Sequence, residues 1–94
     1  MQERDVEKKL TSAVRLMGGL APKFVSPGLD GVPDRVILLP GGHFAFAEIK
    51  APGKTLRPLQ KRRKRQLEAL GFKVYVVDNP DQIGGVIDEI EHQM

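Results

Sequence analysis

The sequence predicts an α/β fold: a mixed central sheet flanked by helices, with its core elements in the order αβββαβ. Three observations lead there. Two apolar runs on either side of a Pro40-Gly41-Gly42 turn form a β-hairpin across residues 31–50. A helical stretch led by Pro58 is followed by the apolar run Phe72-Lys-Val-Tyr-Val-Val77, and a strand–helix–strand crossover sets that last strand parallel to the second hairpin strand. An amphipathic helix over residues 3–17 precedes them, with Val6, Leu10, Ala13, Val14 and Met17 at helical spacing.

The first helix ends at Gly18-Gly19, a strong stop signal. Glu3 and Glu7 sit one turn apart and share a face, with Glu7 at the border of the apolar stripe. Residues 20–25 read as a short strand, which Pro22 demotes to an edge or irregular one because it has no N–H for a ladder. Ser26-Pro-Gly-Leu-Asp-Gly-Val-Pro33 is a loop of turn residues. It is either a plain connector or a loop, Ser26 included, that lets phosphate approach the backbone beside Asp34.

The hairpin strands cover 34–39 and 43–50, and both far ends carry a carboxylate, Asp34 on the first and Glu48 on the second. Antiparallel strands joined at one end bring their other ends together, so the two acids should meet. Adjacent carboxylates repel unless one takes a proton or a cation lies between them, and a hard divalent cation is the natural resolution. Strand alternation points Glu48 and Lys50 the same way and Ile49 into the core. A carboxylate that holds metal, beside an ammonium group, suits hydrolysis of a phosphodiester. Phe44 and Phe46 continue the Glu48 face; His43, at the turn, has no expected role.

The second helix runs from Pro58 to about Leu70, with Leu59, Leu67 and Leu70 expected as core contacts and Gln60 in its first turn. Seven cations fall in and before it: Lys54, Arg57, Lys61, Arg62, Arg63, Lys64 and Arg65. A run of like charge is either a solvated face or a surface whose repulsion a polyanion relieves. With no aromatic residue interleaved, contacts to nucleic acid should be to phosphates, with little direct sequence readout. Ile83, Val86, Ile87 and Ile90 then suggest a terminal helix, weakened at its start by Gly84-Gly85.

The chain's 94 residues suit one domain, 1–94, near the lower edge for a self-sufficient core, so that oligomerisation would help. The absence of cysteine excludes a disulfide framework and a thiolate metal site, and fits a cytoplasmic protein. No apolar run approaches a membrane span, and no signal-peptide core opens the chain.

Gly31-Val-Pro-Asp34-Arg, Glu48-Ile-Lys50 and Leu59-Gln60 resemble the VRR-NUC branch of the PD-(D/E)xK nucleases. The similarity runs from Glu3 to about Asp78 and takes in Lys23-Phe-Val-Ser-Pro-Gly28, Lys50-Ala-Pro-Gly53 and the strand after Gly71, in the order of small stand-alone phage-type members. The resemblance implies a restriction-endonuclease-like fold and a metal-dependent DNA endonuclease, encoded by a bacterium or phage. It implies Mg²⁺ or Mn²⁺ held by Asp34, Glu48 and the Ile49 carbonyl, with a first-helix carboxylate, Glu7 before Glu3, as direct or water-mediated ligand. Lys50 would position or deprotonate the attacking water, and Gln60 would orient Lys50. The resemblance further implies a homodimer acting on branched, four-way DNA. A flap or nicking nuclease, a non-catalytic DNA-binding module and an RNA-processing enzyme stand as alternatives.

Overall fold

A computed structural model describes residues 1–93. Helix α1 (Glu3–Leu16) leads into strands β1 (Arg35–Leu39) and β2 (His43–Ile49); then come helix α2 (Pro58–Ala69), strand β3 (Val74–Val77), a 3₁₀ turn (Pro80–Gln82) and helix α3 (Ile83–Glu91). The sheet order is β1-β2-β3. β1 and β2 run antiparallel, and β2 and β3 parallel, which gives the mixed sheet expected of a hairpin followed by a crossover.

One face of the sheet holds the core. Ile37 and Leu39 of β1 and Ala45, Ala47 and Ile49 of β2 pack under Val6, Leu10 and Val14 of α1 and Ile83, Val86, Ile87 and Ile90 of α3. Burial of each large aliphatic side chain there contributes roughly 1.5–3 kcal/mol. The small side chains of Ala45 and Ala47 let the helices lie close to the sheet. α1 is pinned at its start by the Gln2 N–H, which donates to Asp5 Oδ2 at 2.7 Å. At its end, a side chain on Gly19 would collide with the Leu38 carbonyl, so only glycine lets the chain turn so near β1.

The expected strand at 20–25 is present as two isolated antiparallel bridges, Leu20↔Leu38 and Lys23↔Arg35. Pro22 explains the break: its carbonyl accepts from Val36 N–H at 3.0 Å, and it has no N–H to return. The segment still covers the outer edge of β1.

The α2 side of the sheet is built differently. Leu59 and Leu70, expected in the core, are 42% and 69% exposed, and Gln60 is the buried residue of the helix. Its inward positions are Gln60, Arg63, Lys64 and Leu67, spaced three and four apart, so the helix docks mainly through polar groups. Phe24, Phe44, Phe46 and Phe72 fill the rest of that face as a ring cluster with centroids 4.9–5.9 Å apart. No helix among the described residues is long and apolar enough to cross a membrane.

Candidate active site

The register of the hairpin brings the two acids together. Arg35 pairs with Ala47 and Val36 with Phe46; one further step along both strands sets Asp34 opposite Glu48. Asp34 and Lys50 lie one residue beyond the ends of β1 and β2. Alternation turns Asp34 and Glu48 to the α2 side of the sheet, away from Ala47 and Ile49.

Three groups fix the pair. Asp34 Oδ2 accepts from the Ile49 main-chain N–H at 2.8 Å. Glu48, 3% exposed, is hydrogen-bonded to Asp34 and accepts from Gln60 Nε2 at 3.3 Å. Gln60 Oε1 in turn accepts from the Arg57 main-chain N–H at 2.9 Å, closing the first turn of α2 over the site. Burial is the main cause that pushes the Glu48 carboxyl up to about 8; the hydrogen bond and the charge of Asp34 add to it, and the positive charge of Lys50 opposes it. At neutral pH the pair therefore holds a proton in the place where a cation would relieve the same repulsion.

The first helix contributes in a way its spacing alone did not reveal. Glu7 is held by Arg35, whose Nε donates to Glu7 Oε2 at 2.9 Å while Nη1 donates to the Ala21 carbonyl at 2.8 Å. Glu3, one turn earlier, is the first-helix acid whose charge reaches Glu48. Arg35 has the parity of the buried residues Ile37 and Leu39, so its charge points toward α1 and requires a partner there. That parity was the available signal for the Arg35–Glu7 pair.

The donor set fits a hard divalent cation: two convergent carboxylates, one of them buried, offering oxygen atoms only. Among the described residues no three His, Cys, Asp or Glu side chains are gathered as a ready cage. An ion at this pair would thus complete its shell with main-chain oxygen and water, as Mg²⁺ commonly does.

The basic run on α2 divides in two. Arg57, Lys61, Arg62 and Arg65 are exposed, and Lys54 is exposed in the preceding turn. Arg57, Lys61 and Arg65 recur every four residues, about 6 Å apart along the axis, as a stripe on the outer face. Arg63 and Lys64 are half-buried and engaged within the protein: Lys64 Nζ meets Glu68 Oε2 at 3.0 Å, and Arg63 Nε donates to the Asp30 carbonyl at 2.9 Å. Ser26 is half-buried, and its carbonyl accepts from Leu29 N–H at 3.3 Å in the turn that opens the loop. His43 sits beside Gly41 at the opposite end of the hairpin.

No family model matches the sequence. Two single-chain comparisons do. The chain is 51% identical over 81 residues to "Putative nuclease p44" of Acyrthosiphon pisum secondary endosymbiont phage 1, a match covering 86% of this chain and 87% of that protein. Its fold superposes on a solved structure described as a VRR_NUC domain with a TM-score of 0.85 and 30% identity, over 98% of this chain and 97% of the other.

Proposed function

The chain belongs to the VRR-NUC family, and from that premise we propose that it is a metal-dependent DNA endonuclease whose reaction centre is the Asp34–Glu48 pair with Lys50. The observation that carries this is the pair itself: two carboxylates face each other, one of them 3% exposed, with a lysine charge beside them. A purely structural ion pair would have no use for the second acid.

Asp34, Glu48 and the Ile49 carbonyl would hold Mg²⁺ or Mn²⁺, and Glu3 would act through water. Glu3 takes the first-helix role in place of Glu7, because Arg35 already occupies Glu7. Once held there, such an ion would supply positive charge to polarise the scissile phosphate and to make a nearby water more acidic. Lys50 holds that water in line and offsets charge gathering on the phosphate oxygens. Gln60 keeps Glu48 turned toward Asp34. Hydrolysis leaves a 5′-phosphate and a 3′-hydroxyl.

The Arg57–Lys61–Arg65 stripe, with Lys54 and Arg62, contacts phosphates along one strand and reads shape rather than bases. One centre cuts one strand, so a two-fold dimer supplies paired cuts, and a branched, four-way DNA is the preferred substrate. The test is cleavage of end-labelled four-way, flap, nicked and linear DNAs with Mg²⁺ or Mn²⁺, alongside a solution-mass measurement. Metal-dependent cutting of the four-way junction, abolished in Lys50→Ala while junction binding persists, is the expected result. A protein that binds these DNAs and cuts none of them would overturn the reading.

A further inference from the structure

The half-buried side of α2 carries a contact that the phosphate-binding reading of the basic run does not use. Arg63 reaches across to the 26–33 loop and donates from Nε to the Asp30 carbonyl at 2.9 Å, while its Nη1 is held by Gln66 Oε1 on the same helix. On the other side of that contact, Gly31 adopts a φ of +77°, and a Cβ there would lie 2.8 Å from Leu59 Cγ and 3.0 Å from the Leu59 carbonyl. Loop and helix therefore touch in two places, one a guanidinium bond and one a backbone approach that only glycine permits. Three residues after Gly31, the loop delivers Asp34 to its place opposite Glu48.

We infer that Arg63 is a positioning residue: it latches the loop that aims Asp34 to the helix that binds nucleic acid, and it does not contact phosphate itself. The inference rests on the nuclease reading for its effect on turnover, though the latch stands on geometry alone. A guanidinium suits the task because its planar fork satisfies a carbonyl and a neighbouring amide at once. Apolar packing alone does not hold the helix, since Gln60 is its buried residue and Leu67 is only half-buried. The polar latches at Gln60 and Arg63 thus set where α2 sits, and Arg63 transmits that position to the loop. DNA pressed on the outer stripe bears on the same rigid body that positions Asp34.

Three variants separate the roles. Arg63→Ala removes both a cation and the latch. Gly31→Ala opens the latch without touching charge. Arg65→Ala removes an exposed cation only. Amide hydrogen exchange across residues 28–34 is measured on the protein alone, and kcat and KM are measured on cleaved DNA. Arg63→Ala and Gly31→Ala should each speed exchange in that loop by roughly tenfold or more. Each should lower kcat by about tenfold or more while KM stays within about threefold, and the double variant should be little worse than either single one. Arg63→Lys, which keeps one donor, should recover part of the loss. Arg65→Ala should raise KM and leave loop exchange as in the parent. The inference is overturned if Arg63→Ala raises KM as Arg65→Ala does while loop exchange stays unchanged. Should the parent protein cleave no DNA, the nuclease reading fails and the exchange comparison still decides the latch.

Discussion

Gln60 Nε2 donates to Glu48 Oε1 at 3.3 Å, and Gln60 Oε1 accepts from Arg57 N–H at 2.9 Å, so a single amide ties the start of α2 to the buried acid of the sheet. Both ends of that amide are used, which fixes its orientation. Replacing Gln60, 6% exposed, with Leu takes this partner from the part-buried Arg57 N–H and from the buried Glu48 carboxyl oxygen. Leaving the buried carboxyl oxygen unpaired costs about 1–3 kcal/mol, and the water-accessible N–H adds little. Urea denaturation of Gln60→Leu should show a loss in that range, and cleavage should fall by roughly tenfold or more. An unchanged denaturation midpoint would show that the amide supports neither.

The protonated acid makes stability depend on pH. Folded Glu48 keeps its proton up to about 8, whereas the unfolded chain releases it near the ordinary value of 4.5. Between these values the native state binds more protons than the unfolded one, so the contribution is complete below 4.5 and is lost as pH rises through about 8. Metal-free protein should lose stability across that window with a slope approaching roughly 1.4 kcal/mol per pH unit. Glu48→Gln should flatten the slope in a denaturant series taken from acid to mildly alkaline pH.

The two acids of α1 should part in their effects. Glu7 is paired with Arg35 at 2.9 Å, and both side chains are largely screened from water. Glu7→Gln should lower unfolding free energy by about 1 kcal/mol. Glu3 is exposed, yet its charge reaches Glu48, so Glu3→Gln should weaken the response of cleavage to Mn²⁺ with little change in stability. Titrating Mn²⁺ against cleavage rate for both variants separates the roles.

Charge reversal at Arg57, Lys61 and Arg65 should weaken DNA binding uniformly across sequences. For every phosphate no longer neutralised, the slope of log affinity against log salt should become shallower by about 0.9 on duplex arms. Affinities measured by fluorescence anisotropy at several salt concentrations give that slope. An unaltered slope would mark the stripe as an ordinary solvated surface.

The sequence showed the acid pair because period-two alternation and the hairpin's end-to-end logic leave Asp34 and Glu48 few other places to go. It showed the α1 and α3 faces through a different period: Val6, Leu10, Val14, Ile83 and Ile90 follow helical spacing and are buried. It misjudged α2, where Leu59 and Leu70 looked like core and are exposed, while Leu67 does face inward. There, helix position followed polar latches, and local apolar spacing carries no trace of a bond from Arg63 to a carbonyl 33 residues away. The Arg35–Glu7 pair was half legible: strand parity turned Arg35 toward α1, but nothing local named Glu7 as its partner. Pro22 correctly announced an irregular strand and could not say where its two bridges would survive.

The central claim, that Glu48 beside Asp34 gives up its proton to a divalent cation, is tested most directly by calorimetric titration of metal-free protein with Mn²⁺ near neutral pH, without DNA and in buffers of different ionisation heat. The account predicts saturable binding accompanied by proton release, abolished in Glu48→Gln. Binding that releases no proton, or that persists unchanged in Glu48→Gln, would contradict it.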